Sequence, residues 1–211
     1  MITVVQEFNM EEHAEKVRGM FALRAKVFGA RLGWDVSVRN GLERDTLDDE
    51  SPVYLIYTDM KGRVTGSCRL LPTTGTTLIS TVFRDTLPDA AYLNAPSIWE
   101  CTRFCVDEDH ARSASSDSLF KICGELLTQI GVLSLASGIE TIIGNFDETM
   151  LRLYRRVGCP VEILGYTDRF GDRVYLGAFS VVREVVEDGL ERFPMLAIPR
   201  SKAAAPVHIH R

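Results

Sequence analysis

Cysteine is scarce and odd in number: Cys68, Cys101, Cys105, Cys123 and Cys159, each inside a largely apolar segment. That pattern fits reduced, buried thiols and excludes a disulfide framework. Cys101 and Cys105 lie four apart without a second Cys/His pair at zinc spacing, so no metal is expected. Basic charge is also short, with 24 Lys and Arg against 29 Asp and Glu, which removes the ground for general nucleic-acid affinity. No apolar run reaches the roughly 20 residues of a bilayer span. The opening MITVVQEFNMEEH lacks the basic start and apolar centre of a signal peptide. A cytoplasmic location without membrane insertion is the expectation.

What is present fits one sizeable α/β domain. The 211 residues are 45% hydrophobic and 25% charged, ordinary for a globular protein with its own core. No repeat or linker interrupts them, so one domain over 1–200 with a flexible tail at 201–211 is expected. Residues 2–6 read as a strand. Apolar residues at helical spacing fill 10–28, and Gly29 is read as the stop. A polar, aperiodic stretch at 31–49 follows, long enough to be a loop or a functional lid. Strands at 53–58 and 63–71 flank Asp59-Met60-Lys61-Gly62 and read as a hairpin. A strand at 97–106 precedes a long helix from about 117 to 136, capped by Ser115 or Ser116 and ended by Ser137-Gly138. Then come strand 140–145, helix 149–157 ended by Gly158, strands 161–164 and 173–180, and helix 181–189. A hairpin followed by alternating strands and helices predicts a mixed sheet with helices on both faces.

Charges inside apolar segments point to chemistry, because a buried charge is costly unless paired. Arg24 sits on an otherwise apolar helix face; alone, it reads as a snorkelling arginine beside a solvated acidic loop holding Asp45 and Asp48. Phe28 and Trp34 follow where large aromatics close over a core or a ligand. Arg69 interrupts the strand Gly66-Ser67-Cys68-Arg69-Leu70-Leu71 and needs a carboxylate partner, with Asp45, Asp48 and Glu100 as candidates. Glu100 and Arg103 lie in the next strand with opposite parity. Either they face opposite sides or a bulge re-aims one of them. The plain reading is a strand-end ion pair; the functional one is a general base with an arginine orienting substrate. Arg152, Arg155 and Arg156 form a local basic patch on a short helix, either simply solvated or a dock for an acidic partner or a phosphate.

Arg24, Phe28 and Trp34, then Asp45 and Asp48, then Arg69 before Leu70-Leu71-Pro72-Thr73, then Glu100 and Arg103 together resemble the signature of the LuxI-type acyl-homoserine-lactone synthases. Each position is weakly informative; the ordered set is specific and reaches from Met10 to Gly158. The resemblance implies a GCN5-related N-acetyltransferase-like α/β/α sandwich whose splayed mixed sheet opens a V-shaped cleft. It implies two substrates, S-adenosylmethionine and an acyl group on acyl carrier protein (acyl-CoA in some members), and no cofactor. Glu100 would take a proton from the amine, directly or through water. Phe28 and Trp34, with Arg103, would hold S-adenosylmethionine. Arg24, Asp45, Asp48, Arg69 and Arg103 would form an ion network that orders the N-terminal lid. Arg152, Arg155 and Arg156 would meet the carrier protein.

Where 3-oxo-acyl members have a threonine, counting back from Gly158 reaches Gly144, which predicts an unsubstituted or 3-hydroxy chain. Ile142, Leu126, Leu119, Ile122 and Ile143 are candidates to line an acyl tunnel, although they read equally well as core. Two other readings remain. An acetyl-CoA-dependent N-acetyltransferase would need a pyrophosphate loop; the nearest stretch, Arg155-Arg156-Val157-Gly158-Cys159-Pro160, ends a helix and carries a proline that lacks the N–H. A non-catalytic carrier-protein-binding homologue is the other.

Overall fold

A computed structural model of the chain describes residues 1–87, 91–114 and 118–194. In chain order it contains β1 (Ile2–Val5), α1 (Ala14–Arg24), β2 (Val38–Arg39), β3 (Leu42–Glu43), β4 (Val53–Thr58), β5 (Val64–Pro72) and β6 (Ile98–Val106). There follow α2 (Glu108–Ala114), α3 (Ser118–Ser137), β7 (Thr141–Phe146), α4 (Glu148–Val157), β8 (Glu162–Phe170), β9 (Asp172–Ser180) and α5 (Arg183–Arg192). Seven strands form one sheet in the order β1-β4-β5-β6-β7-β9-β8, and β2 and β3 form a separate hairpin. Every neighbouring pair in the large sheet is antiparallel except β6 with β7. The parallel step is the one bridged by helices, as a crossover requires.

The sheet's two faces are covered by different helices. Leu55, Cys68, Leu70, Trp99 and Ile142 pack under Ile122, Leu126 and Ile130 of α3. Tyr54 and Ile56 point the other way, against Val17, Met20 and Phe21 of α1. Strand alternation then assigns Arg69 and Glu100 to the α1 face. All five cysteines are free thiols, three of them fully buried.

Several sequence expectations are corrected. Gly29 does not stop the first helix; α1 runs on as a wider π-helical turn, Ala25–Arg31, with Leu32 N–H reaching Val27 O at 3.0 Å. The stretch 31–49 is ordered by Asn40 and Gly41, whose φ values of 53° and 75° make the tight two-residue turn between β2 and β3. The short helix α2 was not foreseen. Strand β8 is longer than expected because it pairs along β9 in a hairpin turned at Gly171, φ 91°. Helix α3 has the length and mean hydropathy, 1.4, of a bilayer span, contrary to the sequence reading. Its apolar surface is spent against the sheet instead. The proposed caps Ser115 and Ser116 and the tail 201–211 lie outside the described residues.

The feature that positions the site is where β6 and β7 part. Their register runs Ile98↔Thr141, Trp99↔Ile142 and Glu100↔Ile143. Beyond that pair β6 continues to Val106 along β5, while β7 continues to Phe146 along β9. A cleft therefore opens between Thr102 and Asn145, with Glu100 and Ile143 at its apex.

Candidate active site

The β5–β6 pairing is irregular beside this cleft. Ser67 faces Cys105 and Arg69 faces Thr102, so Arg103 and Phe104 together oppose Cys68. This is a bulge, and Arg103 occupies it in left-handed conformation, φ 53°. The inserted residue resolves the parity conflict: Arg103 joins Arg69 and Glu100 on the α1 face, and Phe104 packs on the α3 side.

Three guanidinium groups and three carboxylates close over that face. The Arg24 Nε donates to Glu43 Oε2, and its Nη1 and Nη2 fork onto Asp48 at 2.8 and 2.9 Å. Arg69 donates to Asp45 at 2.5 and 3.0 Å, to Asp48 at 2.8 Å and to the Thr102 hydroxyl at 3.0 Å. Arg103 donates twice to Glu43 Oε1, at 3.1 and 3.0 Å, and its Nη2 lies 2.8 Å from Asp45 Oδ2. The Tyr54 hydroxyl donates to Asp48 Oδ1 at 2.9 Å. Arg24, Arg69 and Glu43 have no exposed surface, so the charges are tolerable only because each guanidinium is matched. Arg24 is thus a buried clamp and not a snorkelling side chain. Arg69 pairs with both aspartates and not with Glu100.

The sequence prepares this locally. Asp45 caps a single-turn helix at Thr46–Asp49, accepting from Leu47 N–H, and Asp48 accepts in return from Asp45 N–H. The reciprocal bonds hold both carboxylates toward the sheet. Burial would raise the Asp48 carboxyl, but the bonds and charge of Arg24, with Arg69, hold it well below the usual carboxylate range. Asp45 is lowered in the same way, chiefly by Arg69. Glu43, Tyr54 and Thr102 were missed. Glu43 looked like one more acid in a polar run; recognising the Asn40-Gly41 turn would have placed it beside Asp45.

Glu100 stands apart from the network. Its side chain is fully buried, and its two oxygens accept N–H bonds from Leu78 at 2.8 Å and Ile79 at 2.7 Å. Burial pushes its carboxyl up to about 7, against the pull of those N–H groups and of Arg69 and Arg103. The covering segment, 73–87, is tied to β8. Thr167 donates to Asp85 at 2.9 Å, Arg169 donates to Val82 O, and a side chain at Gly165 would meet Thr86 O at 2.1 Å. Beneath it Ile79 and Leu93 pack on Ile143 and Leu176.

Phe28 is buried and stacks at 5.2 Å on Trp34, which is half exposed. The Arg103 guanidinium lies 5.4 Å from the Phe28 ring centre, so the aromatic pair borders the network. Gly144 lies on the α3 face, where a Cβ would come within 2.9 Å of Cys101 O; the glycine lets β7 approach β6 just where they part. Ile142, Ile122 and Leu126 share the α3-side core with Leu119 at its margin, while Ile143 lies in a separate cluster on the opposite face. The five tunnel candidates therefore do not line one wall. Arg152, Arg155 and Arg156 are all exposed on α4, with Arg156 lying 5.1 Å from the Phe120 ring centre.

Residues 7–188 match the family model described as autoinducer synthase. The chain belongs to that family. The autoinducer synthase is 37% identical over 186 residues to an acyl-homoserine-lactone synthase of Rhizobium etli, covering 87% of this chain and 86% of the relative. It is 34% identical over 209 residues to one of Agrobacterium fabrum, covering 97% and 99%. Among solved structures it resembles the CoA-dependent acyl-homoserine lactone synthase BjaI, with SAM and isopentyl-CoA, at TM-score 0.80 and 25% identity over 94% of this chain and 91% of that one. An aminoglycoside 6'-acetyltransferase type Ii, TM-score 0.54 at 11% identity over 86% and 97%, shares the fold alone. The acetyltransferase-like architecture expected of the synthase is thereby observed. Its activity is that of an acyl-homoserine-lactone synthase, an acyltransferase.

Proposed function

We propose that this synthase joins S-adenosylmethionine to a fatty acyl group carried on acyl carrier protein. The amine nitrogen attacks the thioester carbonyl, the C–S bond breaks, and the carrier leaves as its thiol. The carboxylate oxygen of the acylated product then attacks its own γ-carbon. The bond to the sulfonium breaks, releasing methylthioadenosine and closing the lactone. S-adenosylmethionine is a substrate here, and no cofactor is required. A cytoplasmic location is part of this reading.

The observation that carries this reading is the closed network of Arg24, Glu43, Asp45, Asp48, Arg69 and Arg103, seated on the cleft beside Glu100, whose carboxyl burial pushes up to about 7. An ammonium has no lone pair, so a base must act first. A carboxyl near 7 is matched to that task. The two backbone N–H groups occupy two of its four lone-pair directions and leave two to meet a water or the amine. Phe28 and Trp34 offer an aromatic wall for a sulfonium cation. The exposed Arg152, Arg155 and Arg156 suit an acidic carrier protein. Gly144 supplies no hydroxyl for a 3-oxo group, favouring unsubstituted or 3-hydroxy chains, with Ile142 beside it on the acyl side.

The test is mass spectrometry of reactions holding purified protein, S-adenosylmethionine and either octanoyl-acyl carrier protein or octanoyl-CoA. Lactone and methylthioadenosine should appear together, faster with the carrier protein. Faster turnover of the CoA thioester would remove the carrier assignment. Carrier binding without methylthioadenosine release would leave only a non-catalytic binder, and exclusive 3-oxo products from a mixed acyl pool would sink the Gly144 argument.

A further inference from the structure

One polar group in the cleft is used by nothing described so far. Asn145 follows Gly144 on β7. It shares a strand face with Ile143, the residue in register with Glu100, and lies about 6.6 Å further along the strand. Had the parallel pairing continued, Asn145 would oppose Thr102. Asn145 therefore lies on the α1 face of β7 at the level of Thr102, one pleat beyond Glu100.

The orientation of that carboxamide is determined by its neighbour. Nδ2 donates to Tyr175 O at 3.3 Å, and a carbonyl can only accept, so the nitrogen is assigned there and the oxygen elsewhere. Asn145 Oδ1 is buried, and among the described residues nothing donates to it. A buried acceptor left unpaired costs free energy unless something fills it. What the cleft lacks on this side is a donor.

We propose that Asn145 holds the attacking amine, its Oδ1 accepting one amine N–H while Glu100 receives the proton that the ammonium gives up. This rests on the reading of S-adenosylmethionine as the amine substrate. The α-ammonium carries three protons. One passes to Glu100, directly or through water, freeing the lone pair that forms the C–N bond. A second leaves the nitrogen as the tetrahedral intermediate collapses and ends on the departing thiolate. The third stays on nitrogen as the product amide N–H, and this is the one Asn145 binds throughout. A neutral carboxamide suits the task because it orients the amine without favouring its charged form, as a carboxylate would. Asn145 touches substrate in this scheme, on the wall opposite the ion network.

The experiment compares wild type, Asn145→Leu and Asn145→Asp with two donors, octanoyl- and 3-hydroxyoctanoyl-acyl carrier protein. Asn145→Leu keeps the volume and removes the acceptor. It should raise the KM for S-adenosylmethionine about tenfold, the worth of one hydrogen bond, and by the same factor with both donors. Asn145→Asp should bind S-adenosylmethionine at least as tightly as wild type while kcat falls at pH 7 and its acid limb moves to higher pH, because the ammonium is held charged. An unchanged KM in Asn145→Leu overturns the proposal. A loss confined to the 3-hydroxy donor also overturns it, giving Asn145 to the acyl chain. Equal kinetic losses in Leu and Asp with a shared fall in Tm overturn it in favour of the bond to Tyr175. Failure of the wild type to make lactone from either donor overturns the underlying reading instead, and that outcome needs no variant to recognise.

Discussion

On the β5–β6 side of the cleft, three arginines meet three carboxylates, helped by Tyr54 and Thr102. On the β7–β9 side, Ile143 and Leu176 form an apolar patch beside Gly144 and Gly177, with Asn145 as the polar exception. The first wall is rigid because every charge there depends on several partners, so no member can change alone. The second is held by shape, where one methyl group more or less moves a strand. The first wall is therefore specified by charge pairing and the second by apolar packing, with Asn145 as the one group on the second wall that the proposal puts to chemical use.

The heaviest blow to this contrast comes from Asp48→Ala. It removes a carboxylate partner from Arg24, Arg69 and Tyr54 at once, leaving Glu43 and Asp45 to hold the two arginines, and breaking a buried pair costs about 3–5 kcal/mol. Denaturant unfolding should show that loss; a change under about 1 kcal/mol, the worth of a surface pair, would mean that the first wall is not a cooperative unit. The acid limb follows the same logic. The folded pKa of Asp48 is depressed below its ordinary value of 3.8, so its contribution is present above that value and is lost as pH falls through the folded pKa. Wild-type stability should decline below about pH 4, and Asp48→Asn should flatten that decline.

Glu100→Gln comes next. Removing a general base costs roughly 10²–10⁴ in rate. Because Glu100 must be ionised to accept a proton and its pKa is about 7, wild-type kcat/KM should rise with pH through that value. The variant should be slow with no such rise, and a pH profile identical to wild type would remove Glu100 as the base.

Gly144→Thr probes the second wall. Its Cβ would press on Cys101 O at 2.9 Å, and overpacking of this kind costs about 1–3 kcal/mol. Thermal melts should show the loss even if product changes. An undiminished Tm with a switch to 3-oxo products would make the missing hydroxyl, and not close strand approach, the reason for the glycine.

The smallest effect is expected outside the cleft. Changing Arg152, Arg155 and Arg156 together to Ala should leave stability within about 0.5 kcal/mol. It should raise the KM for acyl-acyl carrier protein at low salt and converge on wild type at high salt, where such charges are screened. An equal change with acyl-CoA would show that these residues do not read the carrier protein.

Much of the site was legible because its residue types are improbable where they stand. Arg24 on an apolar helix, Arg69 in a strand of small residues and Glu100 beside Trp99 each demanded a partner, and burial has no cheaper solution than pairing. The awkward parity of Glu100 and Arg103 foretold an irregular strand, and the bulge at Arg103 is that irregularity. Less was legible where the reason lies in another segment. Glu43 had no local mark of importance. The π-helical turn at 25–31 lies close to the hairpin, where a Cβ at Gly29 would stand 3.3 Å from Val38, a contact with no local mark in the sequence. Ile142 and Ile143, adjacent in sequence, serve opposite faces because a strand alternates.

By itself the sequence determined which groups had to be reconciled: an excess of buried charge, turn residues at Asp59-Met60-Lys61-Gly62 and Gly158, and apolar periodicities sufficient for a mixed sheet between helices. Those are properties of residues and near neighbours, where propensity and solvation act. Only the tertiary structure decided who pairs with whom. Arg69 chose the aspartates over Glu100, Glu100 was left with two backbone N–H groups, and β6 and β7 parted after three shared pairs, the last of them Glu100 with Ile143. Such choices depend on distances between segments far apart in the chain, and the sign of each Coulomb and desolvation contribution is known only once those distances are.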